Sequence, residues 1–339
     1  MRTIDWNDES NTIQLIDQTL LPREYRVIEC KTIEALCEAI KSLRVRGAPA
    51  LGATGGYGIA LAAVLSKAVN MDDLTKELQS AAKTIKSTRP TAVNLGWGVD
   101  RVLKATSDAY DLEGMKSTAI EDAKQIADED VAINKKIGEY GAKLLEDGDT
   151  VLTHCNAGKL ACVDWGTALG VVRSAVEEGK NIKVVACETR PLNQGSRLTT
   201  WELMQDNIPV TLIADSMSGH VIRHGSIDKV IVGADRITED AVFNKIGTYT
   251  HSVIAKEHEI PFYVVAPTST FDFKGWEGSV EIELRNSDEL RYFGDLQIAP
   301  ENVNVYNPAF DATPMENVSA IITENGVFKP PFLLDEVLI

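Results

Sequence analysis

Two hydrophobic rhythms divide the chain. Up to about residue 146 the apolar positions recur at helical spacing; beyond it, short apolar runs alternate with helical segments. Residues 32–43 place Ile33, Leu36, Cys37 and Ile40 on one face, at the i, i+3, i+4, i+7 spacing of an amphipathic helix. Pro49 opens a helix over 49–65, where its missing N–H costs nothing. That segment is apolar nearly all round, as a buried helix is. Its glycines at 52, 55, 56 and 58 follow no strand, so they fail the context a dinucleotide-binding fingerprint requires; close helix packing explains them. Residues 71–87, 91–105 and 112–146 continue the helical pattern, with a break expected near Gly138 and an end at Gly148.

Strands are predicted at 150–154, 182–187, 210–214, 229–234 and 262–266, with helices near 165–178, 197–206, 217–224 and 246–258 between them. Strand and helix alternating at this spacing give right-handed crossovers and a parallel, doubly wound sheet. The expected architecture is α/β: a mainly helical N-terminal domain, residues 1–140, followed by a Rossmann-like parallel-sheet domain, residues 141–339. The tail from Phe271 reads as irregular until 302–306, which is expected to add an edge strand.

In such a sheet the carboxyl ends of the strands share one edge, where ligands bind. The residues that follow the strands are His154-Cys155-Asn156, Glu188-Thr189-Arg190, Asp215-Ser216, Asp235-Arg236 and Pro267-Thr268. Cys155 and Asp235 stand out as a candidate catalytic pair, a thiol and an acid at the ends of two buried runs. Plainer roles stand beside that one. Free cysteine is usually a small buried hydrophobe, and strand-end acids often cap the next helix, a role that suits Asp215 and Ser216 best.

Charge and composition narrow the chemistry. The net charge of −16 argues against nucleic acid or an anionic membrane surface as a partner, so an anionic substrate would need locally concentrated positive charge. Five cysteines without a CxxC pair fit a reducing cytoplasm better than a disulfide framework. No signal peptide is read at the N-terminus, and no apolar run is read as long enough to span a bilayer. No GxSxG elbow is present. Asn156-Ala157-Gly158-Lys159-Leu160 lacks the first glycine and the Ser/Thr of a P-loop. The histidines form no HExxH helix, and His154 beside Cys155 cannot make a zinc site alone, because adjacent strand residues point to opposite faces. None of these patterns signals a metal or a cofactor. Arg46-Gly47-Ala48-Pro49 puts an arginine and an open backbone at a helix start, a plausible phosphate site that an ordinary surface arginine would mimic.

Together these residues resemble the methylthioribose-1-phosphate isomerase family, which is related to the regulatory subunits of translation initiation factor 2B. The resemblance covers nearly the whole chain. It runs through Ile16-Asp17-Gln18-Thr19-Leu20-Leu21-Pro22, Val45-Arg46-Gly47-Ala48-Pro49-Ala50, Arg89-Pro90-Thr91-Ala92-Val93-Asn94-Leu95 and His154-Cys155-Asn156-Ala157-Gly158. It continues through Glu188-Thr189-Arg190-Pro191 with Gln194-Gly195, Gly233-Ala234-Asp235-Arg236, Asn244-Lys245-Ile246-Gly247-Thr248-Tyr249, Ile298-Ala299-Pro300 and Tyr306-Asn307-Pro308-Ala309-Phe310-Asp311. It implies conversion of 5-methylthioribose 1-phosphate to 5-methylthioribulose 1-phosphate in methionine salvage, with neither a metal nor a cofactor. In that chemistry the anomeric phosphate locks the sugar as a ring, which must open before a hydrogen moves between C1 and C2.

By the same resemblance Asp235 is the proton donor and Cys155 supports the transition state, while Arg46, Gly47, Ala48, Arg89, Gln194, Asn244 and Lys245 hold the substrate. Arg46 and Arg89 are expected on the phosphate, because guanidinium pairs bidentately with its oxygens. A carboxyl secluded among apolar strand residues would have a raised pKa and hold its proton near neutrality. A homodimer is also expected. The chain departs from the family pattern at Lys159, at Cys162-Val163-Asp164-Trp165, at Gly96-Trp97-Gly98, and in a short 237–243 segment. These departures bear on the 5-substituent. A ribose-1,5-bisphosphate isomerase and a non-catalytic factor-2B-like subunit remain the alternatives.

Overall fold

The computed structural model describes residues 2–333 and 337. The chain divides into two compact units, Met1–Lys135 with Ala157–Gly170, and Lys136–Asn156 with Val171–Ile339. The first unit opens with an antiparallel meander of β1 (Ile4–Asn7), β2 (Thr12–Ile16) and β3 (Val27–Cys30) that the helical rhythm of this region conceals. Helices α1 (Ile33–Lys41), α2 (Ala48–Leu65), α3 (Met71–Lys86), α4 (Val93–Thr106) and α5 (Leu112–Ala142) follow. Thr32 caps α1 by accepting the Ala35 N–H, and Asn70 caps α3 by accepting that of Asp73, with Asp72 and Asp73 favoured at the positive end of the dipole. α5 runs unbroken through Gly138, contrary to the expected break, and the division between units falls within it.

α2 is long and apolar enough to cross a membrane, which the sequence reading had excluded for every segment. Most of it, from Ala50 to Ala63, is buried in the apolar core of its unit. The glycine-packing expectation holds. A Cβ on Gly55 would lie 2.4 Å from the Leu95 carbonyl, and one on Gly98 would lie 1.9 Å from that of Gly52. α2 and α4 therefore touch through their backbones.

The second unit is built on seven strands: β4 (Thr150–Thr153), β5 (Lys183–Cys187), β6 (Val210–Ile213), β7 (Lys229–Val232), β10 (Phe262–Val265), β14 (Ala320–Thr323) and β15 (Gly326–Phe328). Their order is β15-β14-β10-β7-β4-β5-β6, with only the edge strand β15 antiparallel. Between them lie α6 (Ala168–Glu177), α7 (Thr200–Gln205), α8 (Ser218–Arg223) and α9 (Thr248–Glu257). A second sheet, β8 (Arg236–Ile237), β9 (Ala241–Lys245) and β13 (Phe310–Pro314), is antiparallel, and a short α10 (Asp288–Arg291) leads into the hairpin β11 (Tyr292–Phe293) and β12 (Leu296–Gln297).

The edge strand expected at 302–306 is not formed. Val303 and Tyr306 are exposed, whereas Ala320-Ile321-Ile322-Thr323 is buried throughout and takes the place beside β10. The sheet reverses its order of growth at β4. The chain adds β5 and β6 on one side, then crosses to add β7, β10 and β14 on the other. The switch point lies between the carboxyl ends of β4 and β7, the place where doubly wound sheets bind ligands.

Candidate active site

Cys155 and Asp235 flank that switch point. β4 and β7 are parallel neighbours in the register Leu152↔Val230, so Cys155 stands level with Gly233, and Asp235 follows two residues further on. Cys155 is half-buried and left-handed, with φ 65°; Thr189 at φ 65° and Asn193 at φ 57° share this conformation on the neighbouring strand-end loop. Residues with a Cβ occupy this region at a cost, and such residues cluster where a function holds them. Asp235 is exposed, and its N–H donates to the Phe243 carbonyl. The seclusion expected for its carboxyl is therefore not found, because the residue lies past the buried end of β7, in the turn toward β8.

The Lys245–Gly247 turn is tied to the Cys155 loop through a histidine. His154 Nε2 lies 2.8 Å from the Ile246 carbonyl and must donate to it, so Nδ1 is the acceptor for His251 Nε2–H at 3.2 Å. Burial pushes His154 down to about 4 and His251 down to about 3, and both rings are neutral near pH 7. Cys187 completes a buried group whose ligand atoms lie within 4.8 Å of one another. Burial drives its thiol upward, away from the thiolate a metal would require.

Asn244 Nδ2 donates to Thr248 Oγ1, and Lys245 Nζ donates to the Ala309 carbonyl while lying 4.7 Å from the centre of the Phe310 ring. Asp311 receives the Gly247 and Tyr249 N–H groups, and burial raises its pKa to about 6. Gln194 is buried, and its Oε1 has no hydrogen-bond partner among the described residues, an acceptor suited to a sugar hydroxyl. Cys155, Asp235, Gln194, Asn244 and Lys245 thus all belong to the second unit.

Arg46, Gly47, Ala48 and Arg89 belong to the first unit. Gly47, at φ 95°, precedes α2, and a Cβ there would lie 2.4 Å from the Ala161 carbonyl, so only glycine fits. Ala48 begins the helix, with the open N–H groups of a helix start. Arg46 Nε donates to Gln18 Oε1, which places the guanidinium beside this terminus. Arg89 lines a cavity of about 370 Å³ with Lys86, Ser87, Pro90, Val93 and Gly96.

Several groups escaped the sequence reading. Asp215 does not cap its own helix; its carboxylate receives the Thr189 and Arg190 N–H groups of the adjacent loop, each at 2.7 Å. Thr199, Glu202 and Arg173 pack behind Asn156. Their spacing along the chain carries no periodic signal, and only the fold unites them.

The model of the Initiation factor 2 subunit family matches residues 44–330. A Methanosarcina acetivorans protein, provisionally named a methylthioribose-1-phosphate isomerase, is 74% identical across 100% of this chain and 97% of its own length. A solved structure of 5-methylthioribose 1-phosphate isomerase from Pyrococcus horikoshii superposes with a TM-score of 0.93 at 43% identity, over 99% of this chain and 96% of its own. Another, from A. fulgidus and titled translation initiation factor eIF-2B subunit delta, gives 0.90 at 61% identity, over 98% and 96%.

Proposed function

The chain belongs to the initiation factor 2 subunit family, and from that premise we propose that it is an aldose–ketose isomerase converting 5-methylthioribose 1-phosphate to 5-methylthioribulose 1-phosphate. The observation that carries this reading is the thiol and carboxyl just past the ends of neighbouring strands at the switch point, in a chain similar over nearly its whole length to proteins that carry the isomerase name.

In this reading Asp235 donates and recovers the proton as the ring opens and hydrogen moves between C1 and C2. A substrate packed over a carboxyl excludes solvent and favours its protonated form, the form that donates a proton. Cys155 supports the transition state from the adjacent strand. Gln194, Asn244 and Lys245 hold the sugar, and Arg46 and Arg89, with the Gly47-Ala48 helix start, take the phosphate.

We further infer a cytoplasmic homodimer. All five cysteines are free, and the second unit exposes large apolar side chains, among them Phe293, Leu296, Ile298 and Tyr306. The purified protein should convert 5-methylthioribose 1-phosphate to its ketose, followed by NMR, with ribose 1,5-bisphosphate as the comparison substrate. Turnover of the bisphosphate alone would assign the sister activity. Inertness toward both would leave the alternative of a non-catalytic factor-2B-like subunit.

A further inference from the structure

The conformation of Cys155 is held from both sides. Its N–H donates to Thr189 Oγ1 at 2.8 Å, and its carbonyl accepts from Thr199 Oγ1 at 2.6 Å. Thr189 is itself left-handed, unusual for a β-branched residue, and is fixed in turn. Its hydroxyl donates to the Cys187 carbonyl at 3.1 Å, and its N–H is received by Asp215. Thr199 closes a single widened π turn, Gly195–Thr199, a distortion frequent at functional sites. Its hydroxyl also accepts from Asn156 Nδ2 at 3.1 Å, and that amide donates to Glu202 as well. Glu202 is fully buried and paired with Arg173 at 2.7 Å, so the Thr199 side rests on a buried ion pair that does not move freely.

We propose that Thr189 and Thr199 are positioning residues for the isomerisation, and this rests on the isomerase reading. Their hydroxyls pin the two peptide groups that flank the Cys155 α-carbon and thereby aim its thiol over the switch point. A loop needing only to turn would carry glycine here at no conformational cost. A cysteine kept in this strained region by two dedicated hydroxyls, one of them on a residue equally strained, is oriented rather than merely tolerated.

Thr189→Val and Thr199→Val remove a hydroxyl while keeping the shape; Thr189→Ser and Thr199→Ser keep it. Two quantities separate positioning from packing: the kcat against KM split, and the rate at which iodoacetamide alkylates Cys155, located by peptide mapping. The other four thiols are buried. Each valine variant should lose kcat by on the order of 10²-fold with KM little changed. Its alkylation rate should shift severalfold, and the serine variants should recover both. Valine variants with wild-type kcat and alkylation would overturn the proposal. So would serine variants as impaired as the valine ones, because the methyl group would then be what matters. Should a valine variant not fold, the serine variant still decides, since loss of kcat with the hydroxyl present contradicts the assignment. A wild-type protein inert toward the sugar phosphate would sink the isomerase reading itself, whereas unchanged alkylation in the valine variants would sink the clamp alone.

Discussion

The helix pair of the first unit and the strand-end rim of the second solve opposite problems. α2 and α4 pack through glycine until backbone meets backbone, within a core of apolar side chains. The rim buries an arginine, a glutamate, two histidines and several hydroxyls, and it holds Cys155, Thr189 and Asn193 in left-handed conformations. Close packing is rigid because space is absent. The rim is held by buried polar contacts, such as Arg173 with Glu202 and Asp206, that cannot break without a desolvation loss. The first kind of order should fail by losing stability and the second by losing chemistry, and substitutions can test that division.

The largest effect should come from the rim's exposed acid. Asp235→Asn should lower kcat by about 10²–10⁴-fold, while the melting temperature stays near wild type, because the side chain is exposed. Wild-type turnover in this variant would remove the catalytic role. Glu202→Ala probes the rim where order and chemistry overlap. Leaving a buried Arg173 short of a partner costs about 3–5 kcal/mol in such settings. Urea titration should place the loss near the lower end, since Arg173 keeps Asp206 at 2.6 Å. Arg46→Ala tests the first unit for a binding role: removing a guanidinium from a bound phosphate should weaken affinity by about 2–5 kcal/mol. A product analogue that binds the variant unchanged would show the phosphate lies elsewhere. Gly98→Ala attacks the helix pair and should destabilise by roughly 1–3 kcal/mol or more, with normal kcat in the molecules that remain folded.

The smallest effect is a pH slope, and the two units pull it in opposite directions. Burial raises Asp130, in the first unit, to about 7, so its stabilising share is full at low pH and is lost as pH rises toward 7. Burial lowers His154 to about 4 and His251 to about 3, so their share is present above about 6.5 and is lost as pH falls through that window. Asp130→Asn should remove the first contribution and leave the second. Its stability should therefore fall more steeply than wild type between pH 7 and 4, as denaturant titrations at several pH values would show. A slope unchanged by the substitution would mean that Asp130 keeps an ordinary pKa.

The strands that carry the rim were legible because each is a short apolar run ending at a polar loop, as in Val230-Ile231-Val232 before Asp235. The helical unit was legible for the same reason of periodicity. What escaped lacks a period long enough to read. β1 and β3 are four residues each and half-exposed, and β14 is four apolar residues inside a tail without other rhythm. Asn302–Tyr306 was misread because an isolated Val-Asn-Val alternates by chance, and no neighbouring strand then recruits it. The resemblance named Cys155, Asp235 and the substrate-holding residues, but not Thr199, Glu202 and Arg173, which brace the Cys155 loop from behind. Asp215 looked like a helix cap because sequence shows the acid and the helix, whereas the two N–H groups it receives arrive from another loop. Exposure of Asp235 is likewise a property of where a strand ends in space.

The contact at Gly98 constrains what this lineage can become. A side chain blocked by another side chain can be rescued by a second substitution that trims the obstacle. At position 98 the obstacle is the carbonyl oxygen of residue 52, an atom that every amino acid carries. No partner substitution can remove it, so a saturation library at this position should return a single letter, however freely the surrounding residues are allowed to vary.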